Sequence, residues 1–240
     1  MSYKSDQLAN DQLASFDQEY TTNERWERVK LCIDHDFNDG NFSFVDVGGG
    51  NGLFADRVLA NYPQSQGTVL DSSELLLSKN TKNTRKKIIR ADALDLVNFG
   101  NYDIIFCNWV LHHLVKTGSY TQTTKNLEIF FDSSRKVLSS RGRLSIFEID
   151  YNGFIDDLPG KSIFHLTSSK FIAPLTSKLG ANTAGVGVCF RSHNEWVRKI
   201  EKSGYKILSY TQDSEDTPLS LMKKYLLFIK KVTGGHYWLA

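Results

Sequence analysis

Between Val45 and Gly52 the chain reads VDVGGGNG: an apolar, β-branched run carrying Asp46 passes through glycines into GLFADRVLANY, which has helical apolar spacing. Glycines at such a strand-to-helix junction let the backbone turn sharply and come close to a ligand where any Cβ would collide. The amides exposed at the following helix N-terminus can receive a polar or anionic group. A dinucleotide-binding loop wants Gly-x-Gly-x-x-Gly, and counting from Gly48 its third position falls on Leu53. Gly48, Gly50 and Gly52 instead give the spacing Asp-x-Gly-x-Gly-x-Gly.

Around this loop, short apolar runs alternate with longer helical patterns. FSFVDV, GTVLD, KIIRAD, YDIIFCN, GRLSIFEID, YKILSYT and a run from Tyr225 (YLLFIKKV) read as strands, several apolar on both faces. The alternation predicts an α/β fold: a doubly wound, mostly parallel seven-stranded sheet with helices on both faces. Residues 5–37 read as one or two helices, and 152–190 as a long insertion before the last two strands. We expect a single domain. Residues 1–40 form an N-terminal helical cap, 41–150 the ligand-binding core, 152–190 a lid and 191–240 the last strands.

Composition excludes several classes. Lys and Arg total 29 against 27 Asp and Glu, without the concentrated basic face of a nucleic-acid binder. The basic run KNTKNTRKK lacks interleaved aromatics and reads as a solvated connection. Three cysteines, Cys32, Cys107 and Cys189, lack metal-ligand spacing, so no metal is expected. No leader-like N-terminus and no apolar run near membrane-helix length is present, so the expectation is a cytoplasmic protein with no membrane or nucleic-acid partner, monomeric or homodimeric.

The second strand ends in Asp71, about twenty residues after the loop, where an ionised carboxylate can accept both hydroxyls of a ribose. It also precedes SSELLL, so helix capping is the alternative, although Ser72 or Ser73 serves equally well for that. Asp92 and Ala93 follow the third strand, and Asn108 and Trp109 end the fourth, YDIIFCNWVLHHL, at the edge where open α/β sheets bind ligands. Together these ordered motifs, over about residues 42–150, resemble the class I S-adenosylmethionine-dependent methyltransferases, in their small-molecule branch. The resemblance implies S-adenosyl-L-methionine as cofactor. It would be held by Asp46, Gly48, Gly50, Asn51, Gly52, Asp71, Ser72, Asp92, Ala93, Asn108 and Trp109, with Asp92 and Ala93 at the adenine amino group. A small-molecule acceptor is implied, with O-methylation ahead of C- or N-methylation.

A methyl group on a sulfonium is already activated, so the protein's task is to place a nucleophile and manage its proton. His112 and His113 follow the fourth strand, and His113 is the narrow favourite for that task. Asn108-Trp109-Val110-Leu111 lacks the Asn/Asp-Pro-Pro-aromatic motif of base- and glutamine-amine methylation. It also lacks the acidic cluster of metal-dependent catechol-type enzymes. Tyr20, Trp26, Glu148 and Arg191 are the candidate acceptor contacts, with Ser192 or Asn194 as a helix cap. Phe154, Phe164, His165, Phe171 and Phe190 make 152–190 a candidate cover, punctuated by Gly153, Pro159, Gly160, Pro174 and Gly180. Two other classes stay open: a non-methylating enzyme that keeps the cofactor, and a binding protein that keeps the fold.

Overall fold

The computed structural model describes residues 4–9, 21–178, 181–214 and 216–240. Seven strands form one sheet in the order β3-β2-β1-β4-β5-β7-β6. They are β1 (Ser43–Val47), β2 (Gln66–Asp71), β3 (Lys86–Arg90), β4 (Tyr102–Asn108), β5 (Leu138–Gly153), β6 (Ile207–Gln212) and β7 (Ile229–Leu239). β1 pairs in parallel with β2 and β4, as do β2 with β3 and β4 with β5, whereas β7 runs antiparallel between β5 and β6. The chain order reverses between β1 and β4, and ligands of open α/β sheets bind at that switch point.

Alternation along the strands feeds two cores, one on each face. Phe44 and Phe106 point to one side, against Val29 and Ile33 of α1 (Asn23–Asp36) and Phe54 and Val58 of α2 (Leu53–Asn61). Val45, Ile105, Cys107 and Ile146 point to the other, against Leu127 and Phe130 of α4 (Tyr120–Val137) and Trp196 of α7 (His193–Lys202). The short α3 (Glu74–Leu77) follows β2 and is capped by Ser73, whose hydroxyl accepts from Leu76 N. Ser192 caps α7 by accepting from Glu195 N, the capping role expected for Ser192 or Asn194.

Three boundaries differ from the sequence reading. Residues 4–9 are not helical, so the N-terminal helical pattern begins in the described chain only at Asn23. The 152–190 insertion holds two helices, α5 (Leu158–Ser168) and α6 (Ala173–Lys178). The final strand begins at Ile229, because Ser220 caps a short helix, α8 (Leu221–Leu226), over what read as its first residues. α4 starts at Tyr120, where Ser119 caps it, so the KNLEIFFDSSRKVL helical pattern from Lys125 lies wholly within it.

Three aromatic rings hold the α1–α2 face of the sheet. The Phe106 ring stands edge-on to Phe54 at 5.0 Å and to Phe44 at 5.7 Å, fully buried. Phe106→Ala should therefore cost about 3–5 kcal/mol of stability through lost transfer energy and a residual cavity. Urea unfolding followed by circular dichroism measures this, and a loss under about 1 kcal/mol would show that the face collapses onto the gap.

Candidate functional site

At the switch point a cavity of about 450 Å³ opens beside the C-terminal ends of β1, β2 and β4. The glycine loop forms one wall. Gly48, Gly50 and Gly52 all have positive φ (71°, 49° and 75°), a region that residues with a Cβ rarely adopt. A Cβ at Gly48 would lie 2.5 Å from Val110, and one at Gly49 would lie 2.5 Å from Asp46 Oδ2. Asp71 at the end of β2 fixes the loop: its Oδ2 accepts from Gly50 N at 3.0 Å and its Oδ1 from Ser73 N at 2.7 Å. Since Ser73 supplies the α3 cap, Asp71 remains facing the cavity.

Several buried polar groups on this wall have no protein partner. Asp46 is 1% exposed, and its Oδ2 accepts no hydrogen bond. Burial, with the neighbouring Asp71 carboxylate, raises the Asp46 carboxyl to about 8. Burial also raises Asp71, against the N–H groups of Ser73 and Gly50 that hold it down. Both amide atoms of Asn108 are likewise buried without a partner. Unsatisfied polar groups around a cavity mark where a ligand's own donors and acceptors belong. Two carboxyls that resist ionisation alone would each be stabilised in the charged form by a ligand cation. The donors and carboxylates present, with the glycine cradle, thus fit a group that is polar, hydroxyl-bearing and cationic.

The opposite wall is built by the turn after β4. Trp109 sits at φ 53°, an uncommon conformation for a bulky residue, stacked on Phe147 at 5.3 Å with the Arg25 guanidinium 4.8 Å from its ring centre. Beyond it, Leu111–His113 form a 3₁₀ turn bound to Glu148 on β5. The fully buried Glu148 carboxylate accepts from Leu111 N at 2.8 Å and pairs with His112 Nδ1 at 2.6 Å. Phe190 lies 4.9 Å from the His112 ring, and His113 4.2 Å on another side. Burial, followed by the neighbouring His112, lowers the His113 pKa well below the ordinary range. Both imidazoles line the cavity.

Most residues singled out from the sequence meet here: Asp46, Gly48, Gly50, Asn51, Asp71 and Ser72 all line the cavity. So do Asp92, Ala93, Asn108, Trp109 and the two histidines. Gly52 lies behind the wall at the start of α2, against Asn80. Glu148 reaches the cavity only through His112. Trp26 lies elsewhere: it is 3% exposed in the α1–α2 core, edge-on to Phe54 and under the Arg57 guanidinium. Arg191 is fully buried beside Trp196, donating to the Cys189 carbonyl, and is not a wall residue. Tyr20 lies outside the described residues.

The structure adds wall residues with no local sequence signal. Ser5 donates from N and Oγ to Asp92 Oδ2, at 3.0 and 2.7 Å, where the adenine amino group is expected. Asp6 continues this strap, accepting from Thr117 N and pairing with Lys116. Arg25, paired with Asp213, joins Thr217 and Gly234 on the far side. Of the described residues of the 152–190 insertion, only Val186 and Gly187 reach the cavity. Gly49, the middle glycine of the run GGG, also lines the cavity.

The raised Asp46 pKa makes the fold less stable toward alkaline pH. A carboxyl with a folded pKa of about 8 keeps its proton in the folded protein at pH values where the unfolded chain has lost it. Its contribution therefore weakens stability progressively as pH rises from about 4 to about 8. Asp46→Asn should remove that part of the slope, so the variant gains on wild type between pH 5 and pH 8.5 in urea unfolding. Parallel stability curves for the two proteins would show that Asp46 is solvated.

Residues 45–144 match a family model described as a methyltransferase domain. Ribosomal RNA large subunit methyltransferase G of Colwellia psychrerythraea (strain 34H) is 27% identical over 146 residues, covering 55% of this chain. The chain spans 36% of that relative's length. Among solved structures, the MccD protein superposes with TM-score 0.64 at 11% identity, over 92% of this chain and 99% of its own. The cyclopropane synthase MmaA2 from Mycobacterium tuberculosis superposes with TM-score 0.58 at 15% identity, over 94% and 87%. These two likenesses concern the fold. The strand order and the glycine loop agree with the match of residues 45–144 to a methyltransferase domain.

Proposed function

We propose that the protein transfers a methyl group from S-adenosyl-L-methionine to a hydroxyl of a small-molecule acceptor. The observation that carries this reading is that one cavity holds two distinct devices. One is a glycine loop tied to Asp71 beside the unpaired Asp46; the other is a histidine held by a buried glutamate. When bound, the cofactor supplies a methyl group already activated by its sulfonium.

Residues on the β1–β2 side would bind it. Asp71 offers its carboxylate to the ribose hydroxyls while keeping Gly50 N as donor. Asp92 faces the amino group of the base, where Ser5 now donates. Asp46 and Asn108 offer their unsatisfied atoms to the amino-acid end, with the carboxyl charge of Asp46 favoured by a nearby cation.

Residues on the β4–β5 side would manage the acceptor. Glu148 accepts from His112 Nδ1, so the other ring nitrogen, Nε2, is left as the acceptor of a proton from a hydroxyl. Glu148 also stabilises the imidazolium that forms, as a buried carboxylate does beside a histidine base. His113, neutral by burial, lies beside His112 and shapes the same wall. The apolar Val115, Ile149 and Val186 bound the remaining space and exclude water. A net charge of +2 without a concentrated basic face favours a small acceptor over RNA.

Calorimetry with S-adenosylmethionine and its demethylated product tests the cofactor. Binding of NAD with no response to either sulfur nucleoside would sink the reading. Asp71→Ala should weaken cofactor binding by about ten- to a hundredfold through loss of a charge-assisted hydrogen bond. Unchanged affinity in the folded variant would limit Asp71 to holding the loop.

His112→Ala should lower turnover by about 10²–10⁴ while leaving cofactor affinity intact. Product analysis with methyl-labelled cofactor and candidate hydroxyl compounds supplies the readout. If His113→Ala loses turnover and His112→Ala does not, the base is His113 and the Glu148 pair is structural.

A further inference from the structure

The insertion and the segment before β7 share a face that the reaction does not use. α5 and the residues flanking α8 share a small core in which Ile163 packs with Ile229, Val232, Leu219 and Leu227. Outside that core, apolar side chains point into solvent. On α8 and just after it, Leu221, Met222 and Tyr225 are each 72% exposed, Leu226 is 69% exposed and Phe228 47%. Phe154 and Ile155 adjoin them, since Phe154 N donates to Phe228 O, and are 65% and 64% exposed. Leu166, Phe171 and Leu175 extend the set along α5 and α6, Phe171 at 94%. Scattered exposed leucines are ordinary, but the run at 221–228 joined to Phe154 and Ile155, with its aromatic content, marks an interaction surface.

The charges on this face have one sign. Residues 158–178 carry three lysines and 217–231 four, and neither segment contains an Asp or Glu. Seven of the chain's 29 basic residues thus fall within two segments, in a protein whose overall balance is near neutral. Among the described residues, the carboxylates that flank the face are already engaged. Asp156 and Asp157 pair with Arg198, and Asp156 also accepts from Ser192; Asp216 pairs with Lys231. Lys161, Lys170, Lys178, Lys223 and Lys230 are exposed beside the apolar groups.

We propose that this face docks on an anionic membrane surface. Exposed leucine, phenylalanine and tyrosine side chains interleaved with lysines are the chemistry of an interfacial segment: the apolar groups enter the headgroup boundary and the ammonium groups meet lipid phosphates. A second copy of the chain is a poorer occupant, because a two-fold contact would set the same lysines against one another. The sequence expectation of no membrane partner rested on the absence of a spanning segment. Among the described residues no helix is long and apolar enough to cross a bilayer, and a docking face needs none. Ile149 packs against the core beneath this face and also lines the cavity, so the docked surface borders the acceptor side of the site.

Vesicle co-sedimentation of the whole chain tests this without reference to activity. Vesicles of phosphatidylglycerol and phosphatidylcholine in equal amounts should bind the protein, vesicles of phosphatidylcholine alone should bind it far less, and added salt should weaken binding. Met222→Asp/Leu226→Asp and Lys223→Glu/Lys224→Glu should each lower the partition by more than about tenfold. Circular dichroism melting should be unchanged, since these side chains are at the surface. Equal binding to both vesicle types, no binding to either, or undiminished binding of both variants would overturn the proposal. So would a dimer, seen by sedimentation velocity, that Met222→Asp/Leu226→Asp dissociates in a protein that ignores vesicles.

Discussion

The hydrogen bond from Gly50 N to Asp71 joins the turn after β1 to the end of β2, and the cavity takes its shape from it. A glycine loop is free to adopt many conformations, and ordering it costs more entropy than ordering any other residue type. The bond, with Ser73 N on the other oxygen, replaces that freedom with one geometry. It also keeps a carboxylate at the cavity wall without solvating it fully, and burial then raises its proton affinity. Loop order, charge placement and ligand preference are therefore consequences of one side chain. Glu148 plays the corresponding part on the other wall, where it gathers two backbone amides and an imidazole of the turn after β4.

The sheet and the cofactor wall were legible because their signals are local. A β-branched run followed by glycines at fixed spacing specifies both a turn and a close approach, and a carboxylate at a strand end lies within a few residues of that signal. Other parts of the cavity were less legible for a topological reason. Ser5, Arg25, Thr217 and Gly234 come to the cavity from both ends of the chain, and nothing near them in sequence announces it. Trp26 shows the limit of periodicity: helical spacing says that a side chain faces something, and here that something is the α1–α2 core. Arg191 shows the same for charge, since a guanidinium can be buried against a tryptophan ring and a carbonyl as readily as it can face a ligand.

The last strand illustrates how a strong apolar run misleads. Tyr225 to Val232 has the composition of a buried strand. Ser220 nevertheless caps a helix over Leu221–Leu226, and Phe228 at φ 56° breaks the chain before pairing begins at Ile229. The apolar side chains read as strand interior are consequently outside, and Phe154 and Phe171, two of the five rings expected in a cover, point outward as well.

The strap at residues 4–9 bears on selectivity through an exchange of donors. Asp92 already receives Ser5 N and Ser5 Oγ on one oxygen and Leu94 N on the other, so it is satisfied before any ligand arrives. An incoming amino group that displaces the Ser5 hydroxyl swaps one donor for another, and the net change is a fraction of the roughly 0.5–1.5 kcal/mol of a new hydrogen bond. A carbonyl oxygen at the same point offers lone pairs to Oδ2 and gives it no donor in exchange, while Leu94 N stays on Oδ1. The carboxylate would thus add little attraction for an aminopurine and much repulsion for an oxopurine, so that discrimination at this end of the cavity works by refusal.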